Sequence, residues 1–135
     1  MITRRTLVLS SLAAATLPAL PALAKPLDYT PGMVAERLAA GDTVFLDFKA
    51  SWCSTCRAQE RTLTALKKDN AAYEQKITFI NVDWDDFGGS DLVKRLNIPR
   101  RSTLVVLKGN KELGRIVADT SKSNIKALMD VALQA

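Results

Sequence analysis

Cys53 and Cys56 are the only cysteines in 135 residues, and they stand three apart in the run Trp52-Cys53-Ser54-Thr55-Cys56. The run separates an apolar, β-prone stretch over residues 44–48 from a segment over residues 57–68 whose apolar side chains recur at helical spacing. A Cys-x-x-Cys at such a strand-to-helix junction puts the first sulfur at the helix N-terminus, where unpaired N–H groups and the macrodipole favour a thiolate. As a structural staple the pair is weak: loop entropy gives about 2 kcal/mol for so short a loop, against about 4.7 kcal/mol for one of about 100 residues. The spacing therefore favours redox chemistry.

The chain contains no histidine. That removes Ser-His and Cys-His nucleophile systems and Cys/His zinc sites. Residues 1–24 read as a cleavable export signal: Arg4 and Arg5, an apolar stretch over 7–23 broken by Pro18 and Pro21, then Ala22-Leu23-Ala24 before Lys25. The start also resembles a twin-arginine motif, so the twin-arginine and general secretion routes both stay open. Either delivers residues 25–135, a single domain, to a bacterial periplasm, without stable membrane association once the signal is cleaved. Loss of the leader takes two arginines and no acid from a formal charge of +5. Lys67-Lys68 and Arg100-Arg101 carry no interleaved aromatics, so no nucleic-acid partner is expected.

The mature region reads in order as helix, strand, helix, strand, helix, hairpin and helix. Thr30 and Pro31 are placed at the start of a helix that stops at Gly41. Residues 44–48 form a central strand buried on both faces. In the helix after Cys56, Leu63, Leu66 and Ala58 or Gln59 face the core, and Arg57, Glu60, Arg61, Lys67 and Lys68 face water. Residues 77–82 are a strand ending in an acidic loop over 83–86, and Ser90 caps a helix over 91–96. Residues 103–108 and 112–117 make a hairpin about Gly109-Asn110. Ser121 or Ser123 starts a last helix with Ile125, Leu128, Met129 and Ala132 in a stripe. Strand-helix-strand units followed by a hairpin imply an α/β sandwich with a mixed central sheet flanked by helices.

On the run Asp47-Phe48-Lys49-Ala50-Ser51-Trp52-Cys53-Ser54-Thr55-Cys56, with Asn81-Val82-Asp83 and residues 103–108, the mature chain resembles the thioredoxin family. The resemblance implies the three-layer thioredoxin-like fold and a thiol-disulfide oxidoreductase acting on protein thiols and disulfides, as a monomer and without a cofactor or resident metal. It implies that Cys53 is the exposed nucleophile, Cys56 the buried resolving thiol and Asp47 the carboxylate that helps take the proton from Cys56. Burial in an apolar strand should raise the Asp47 pKa; an Asp47–Lys49 ion pair is the plainer alternative. Trp52, Ser54, Thr55, Arg101 and Ser102 are the expected substrate-binding residues, and Arg57 and Lys49 the residues that tune pKa.

Two positions depart from the family pattern. Phe79 stands where a lysine near the buried acid is usual, which leaves Lys49 as the candidate cation. Ser102 stands where a cis-proline is usual, with Pro99 three residues earlier, so a trans or strained Arg101-Ser102 bond is expected. Arg100 and Arg101 would then border the site and favour anionic partners. Likeness around the motif to the periplasmic thioredoxin-like domain of a membrane thiol transporter favours a reductant, with such a transporter as the upstream partner. Ser54-Thr55 is neither the glycine-proline of reducing members nor the proline-histidine of strong oxidants. Two other readings stay open: a metal-binding or delivery module using the same thiolates, and a non-catalytic interaction domain on the same scaffold.

Overall fold

The computed structural model describes residues 13–18 and 24–135. Apart from residues 13–18 and Ala24, the predicted leader lies outside them, and no helix among the described residues is long and apolar enough to cross a membrane. The described elements run β1 (Leu27–Asp28), α1 (Met33–Ala39), β2 (Thr43–Lys49), α2 (Ser54–Asp69), α3 (Ala72–Lys76), β3 (Ile77–Asp83), α4 (Trp84–Phe87), α5 (Asp91–Leu96), β4 (Thr103–Lys108), β5 (Lys111–Val117) and α6 (Lys122–Leu133). The sheet order is β1-β3-β2-β4-β5, with β1, β3 and β2 parallel and β4 and β5 antiparallel to their neighbours.

Strand β2 is central, and its side chains alternate between two cores. Val44, Leu46 and Phe48 enter the layer closed by α1 and α5, where Val34, Leu92 and Val93 meet them. Phe45 enters the opposite layer with Leu63 and Leu66 of α2 and Ile125 and Met129 of α6. Asp47 shares that second face, so the alternation that buries Phe45 also aims a carboxyl at the space beneath α2. In the sheet, Asp47 stands opposite Asn81 on β3 and Leu104 on β4.

The local signals explain most boundaries. Ser90 accepts from the Val93 N–H at the start of α5, and Ser121 accepts from the Asn124 N–H at the start of α6. Helix α1 ends with Gly41 at φ +90°, where the Gly41 N–H reaches the Leu38 carbonyl and the Asp42 N–H reaches the Arg37 carbonyl. That 5→2 and 6→1 pair needs a left-handed residue, which glycine adopts without a Cβ clash.

Three expectations are corrected. Helix α1 begins at Met33 and not at Thr30-Pro31, because the Thr30 carbonyl closes a tight turn onto the Met33 N–H and Gly32 takes the cap position at φ +89°. The acidic segment after β3 is the short helix α4 rather than a loop, since the Asp83 carboxylate accepts from the Asp85 and Asp86 N–H groups. Lys67 is buried instead of facing water: its aliphatic stem packs under α2 and its ammonium lies 3.8 Å from the centre of the Phe79 ring. Strand β1 and helix α3, two and five residues long, have no counterpart in the sequence reading.

Candidate active site

Cys53 occupies the N-cap of α2, with φ −90° and ψ 112°. Its Sγ accepts the Cys56 N–H at 3.2 Å, the bond a serine or aspartate oxygen makes at other helix starts. Cys56, one turn in, faces the same core beside Ala50. Both cysteines are free thiols, 3 % and 1 % exposed. Cys53 is thus covered, contrary to the expected exposed nucleophile, because Ser102 and the first turn of α2 close over its sulfur.

Ser102 forms the opposite wall. It is fully buried, immediately before β4, and its Oγ lies 3.1 Å from the Cys53 Sγ and 3.1 Å from the Cys56 Sγ. No peptide bond among the described residues is cis, so Arg101-Ser102 is trans, and Ser102 instead carries φ +63°. A left-handed serine costs on the order of 1–2 kcal/mol. Its surroundings hold it: the Ser102 N–H donates to the Phe48 carbonyl at 2.7 Å, and its carbonyl accepts from the Ala118 N–H at 2.9 Å. The Gln59 amide, inside α2 and without solvent exposure, donates to the carbonyls of Ser102 and Asp119 at 3.0 Å each. Pro99 lies in the exposed loop before this wall and takes no part in it.

Trp52 is 54 % exposed at the rim. Its indole N–H donates to both oxygens of Asp85, at 3.0 and 3.1 Å, and the Arg101 guanidinium lies over its ring at 4.3 Å. The Arg101 Nε is buried without a partner. Ser54 is exposed and Thr55 half-buried, both in the first turn of α2. Arg57 turns away, donating to the Ser51 carbonyl at 3.0 Å, so Arg101 is the guanidinium that bears on the thiol.

Burial pushes the Cys53 thiol up, but the neighbouring Cys56 side chain, the hydrogen bonds from Ser102 and the Cys56 N–H, and the nearby Arg101 outweigh it and bring it down to about 7. Burial and the neighbouring Cys53 push Cys56 the other way, above the usual thiol value. The pair is therefore electrically unequal: one sulfur ionises near neutrality and the other holds its proton.

Between α2 and the sheet lies a pocket of about 220 Å³, bounded by Asp47, Lys49, Glu60, Lys67, Glu74 and Phe79 among others, and a neighbouring pocket that shares Lys49 and Glu60 reaches Cys56. Burial raises the Asp47 carboxyl to about 7; Lys49 opposes that rise, Glu60 adds to it, and Lys67 opposes it again. The Asp47 Oδ1 is buried without a hydrogen-bond partner. Lys49 pairs with Glu60 at 2.8 Å rather than with Asp47, and Lys67 stands 3.9 Å from Glu74. Lys67 and the Asp85 tether of Trp52 escaped the sequence reading. Lys67 had a signal, being four residues beyond Leu63 on the core face of α2; Asp85 had none.

The thioredoxin family model matches residues 30–131. The chain belongs to the thioredoxin family. It is 28% identical over 99 residues to a thioredoxin of Echinococcus granulosus, covering 73% of this chain and 86% of that one. With the mitochondrial thioredoxin-2 of Schizosaccharomyces pombe it shares 32% identity over 87 residues, 64% of this chain and 61% of the other. The crystal structure of Trxlp from Edwardsiella tarda superposes with a TM-score of 0.65 at 25% identity, covering 76% of this chain and 97% of that one. As a thioredoxin-type thiol-disulfide oxidoreductase, it exchanges protein disulfides through the Cys53-Ser54-Thr55-Cys56 motif. Among the described residues no three His, Cys, Asp or Glu side chains gather as a metal set, so a metal reading rests on two sulfurs and the Ser102 hydroxyl.

Proposed function

We propose that this thioredoxin-family chain is exported and works in a bacterial periplasm as a monomeric reductant of protein disulfides. Cys53 is the nucleophile, Cys56 the resolving thiol and Asp47 the base. The Cys53 thiolate attacks one sulfur of a partner disulfide, that S–S bond breaks, and the departing partner thiolate takes a proton. Cys56 then gives its proton to the carboxylate of Asp47 and attacks the Cys53 sulfur. The Cys53–partner bond breaks, the second partner thiolate is released and protonated, and the Cys53–Cys56 disulfide remains. Two electrons and two protons pass to the partner.

What supports the direction is how Cys53 is held: its sulfur is buried and meets the Cys56 N–H and the Ser102 hydroxyl, a modest activation that leaves the thiol at about 7. A thiolate held near 7 belongs with reducing pairs; strong oxidants stabilise theirs to about 3.5. Trp52, Ser54, Thr55 and Arg101 form the rim that meets the partner, with Arg101 favouring an acidic neighbour beside the attacked disulfide. Lys49 tunes Asp47 across the pocket, while Arg57 braces the Ser51 carbonyl. The oxidised pair is recharged by a membrane thiol transporter.

Equilibration with reduced and oxidised glutathione at pH 7, read by trapping free thiols, tests the direction. A potential near about −270 mV fits a reductant, and one near about −120 mV refutes it. The basic start, apolar stretch and Ala22-Leu23-Ala24 end support export. Fractionation of an expressing bacterium should recover a chain beginning at Lys25 outside the cytoplasm, and recovery of the intact chain in the cytoplasm would refute it. Exchange of Arg4 and Arg5 for lysine separates the two routes.

A further inference from the structure

A hydroxyl carries a single proton, so it donates one hydrogen bond at a time while still able to accept others. The Ser102 Oγ lies at the same 3.1 Å from both sulfurs, in a fully buried position where no solvent competes. Its backbone is fixed on three sides by Phe48, Ala118 and Gln59, so the oxygen keeps its place while only the O–H torsion turns. The other titratable or charged groups around the two sulfurs are Arg101 on the rim, Asp47, whose charge bears on Cys53, and Lys49, Arg57, Glu60, Asp83 and Asp86, which line a pocket with Cys56.

We propose that Ser102 is a catalytic residue, a hydrogen-bond switch that serves the two sulfurs in turn. With Cys53 ionised, the Cys56 S–H donates to the Ser102 oxygen and the Ser102 O–H donates to the Cys53 thiolate. Once Cys53 has attacked, its sulfur is part of a neutral mixed disulfide and accepts poorly. As Cys56 yields its proton to Asp47, the same O–H rotates to the Cys56 thiolate and steadies it for the second attack. Ser102 neither gains nor loses a proton over the cycle. The inference rests on the order of attack proposed above.

The test uses Ser102→Ala and Ser102→Gly in the full mature chain, with thermal unfolding confirming the fold. Glycine suits φ +63° and alanine does not, so the two variants share only the missing hydroxyl. The reduced protein is titrated by thiolate absorbance and then mixed with 5,5′-dithiobis(2-nitrobenzoate). That disulfide releases one nitrothiobenzoate when Cys53 attacks and a second when Cys56 resolves.

Both variants should raise the Cys53 pKa by about one unit, leaving roughly tenfold less thiolate at pH 6. The more basic thiolate is about threefold more nucleophilic, so the first phase slows about threefold at pH 6 and quickens about threefold at pH 9. The second phase should slow about threefold or more at pH 6. A crossing pH–rate profile with a slowed second phase in both variants supports the switch. Wild-type behaviour in both, a change confined to the alanine variant, or a change in the first phase only, each overturns it. A first release that survives Cys53→Ser and is lost in Cys56→Ser would overturn the order of the sulfurs instead, which distinguishes the two failures.

Discussion

Asp47→Asn exchanges a buried carboxyl for a neutral amide of nearly the same shape, and its effect on stability should depend on pH in a calculable way. The wild-type carboxyl titrates at about 7 in the folded chain, because burial disfavours its charge, and near 3.9 once unfolded. A folded value above the unfolded one means the folded chain holds the extra proton between those limits. The associated stability is fully present below about pH 4 and is lost as pH rises through about 7. Between pH 4.5 and pH 8.5 the loss amounts to about 3 kcal/mol. The amide of the variant does not titrate. It does stand without partners where the Asp47 Oδ1 already lacks one, a cost of about 1–3 kcal/mol that is the same at every pH. Urea unfolding of the reduced protein at both pH values, for wild type and variant, cancels that constant and the shared cysteine titrations. The variant should gain about 3 kcal/mol on wild type over the interval. A difference between the two proteins that is flat in pH would mean Asp47 is ionised throughout, and would remove it as a base poised near neutrality.

Lys49→Met removes the largest charge opposing burial at Asp47, so the pH at which Cys56 resolves a mixed disulfide should rise by up to about one unit, read from the second release of nitrothiobenzoate. An unmoved profile would leave Lys49 as the surface partner of Glu60 and nothing more. Gln59→Ala takes donors from the Ser102 and Asp119 carbonyls and should cost about 1–3 kcal/mol in urea unfolding, with the Cys53 titration shifted as the wall loosens. Arg101→Ala should raise the Cys53 pKa, by less than loss of the Ser102 hydroxyl does, and alter Trp52 emission, since one guanidinium serves both; thiolate absorbance and fluorescence at pH 6 check it.

How much of this was readable from the chain depended on the range of the interactions. Helix α5, the stripe on α6 and the hairpin about Gly109-Asn110 follow from neighbours a few residues apart, and their bounds match the structure closely. Helices α3 and α4 span five and four residues, too few turns for periodicity to register. Lys67 was misplaced because its charge outweighed its position; a long aliphatic stem and the Phe79 face make burial tolerable, and neither is local. Cys53, Cys56 and Asp47 lie within ten residues and were legible together. The left-handed backbone of Ser102 was not, since serine carries no local signature for it and the amide that holds it comes from Gln59. The cover over Cys53 likewise depends on Ser102, 49 residues away.

That glutamine changes what can move. Because Gln59 belongs to the same helix as both sulfurs and grips the backbone of the facing wall and the Asp119 carbonyl beyond β5, nucleophile and wall are joined as one rigid piece. A tilt of α2 against the sheet would have to break those bonds, since the Ser102 backbone is also held to β2 through the Phe48 carbonyl, so the cleft keeps its width. Adaptation to differently shaped partners then falls to the outer rim, where the side chains of Trp52, Asp85 and Arg101 meet.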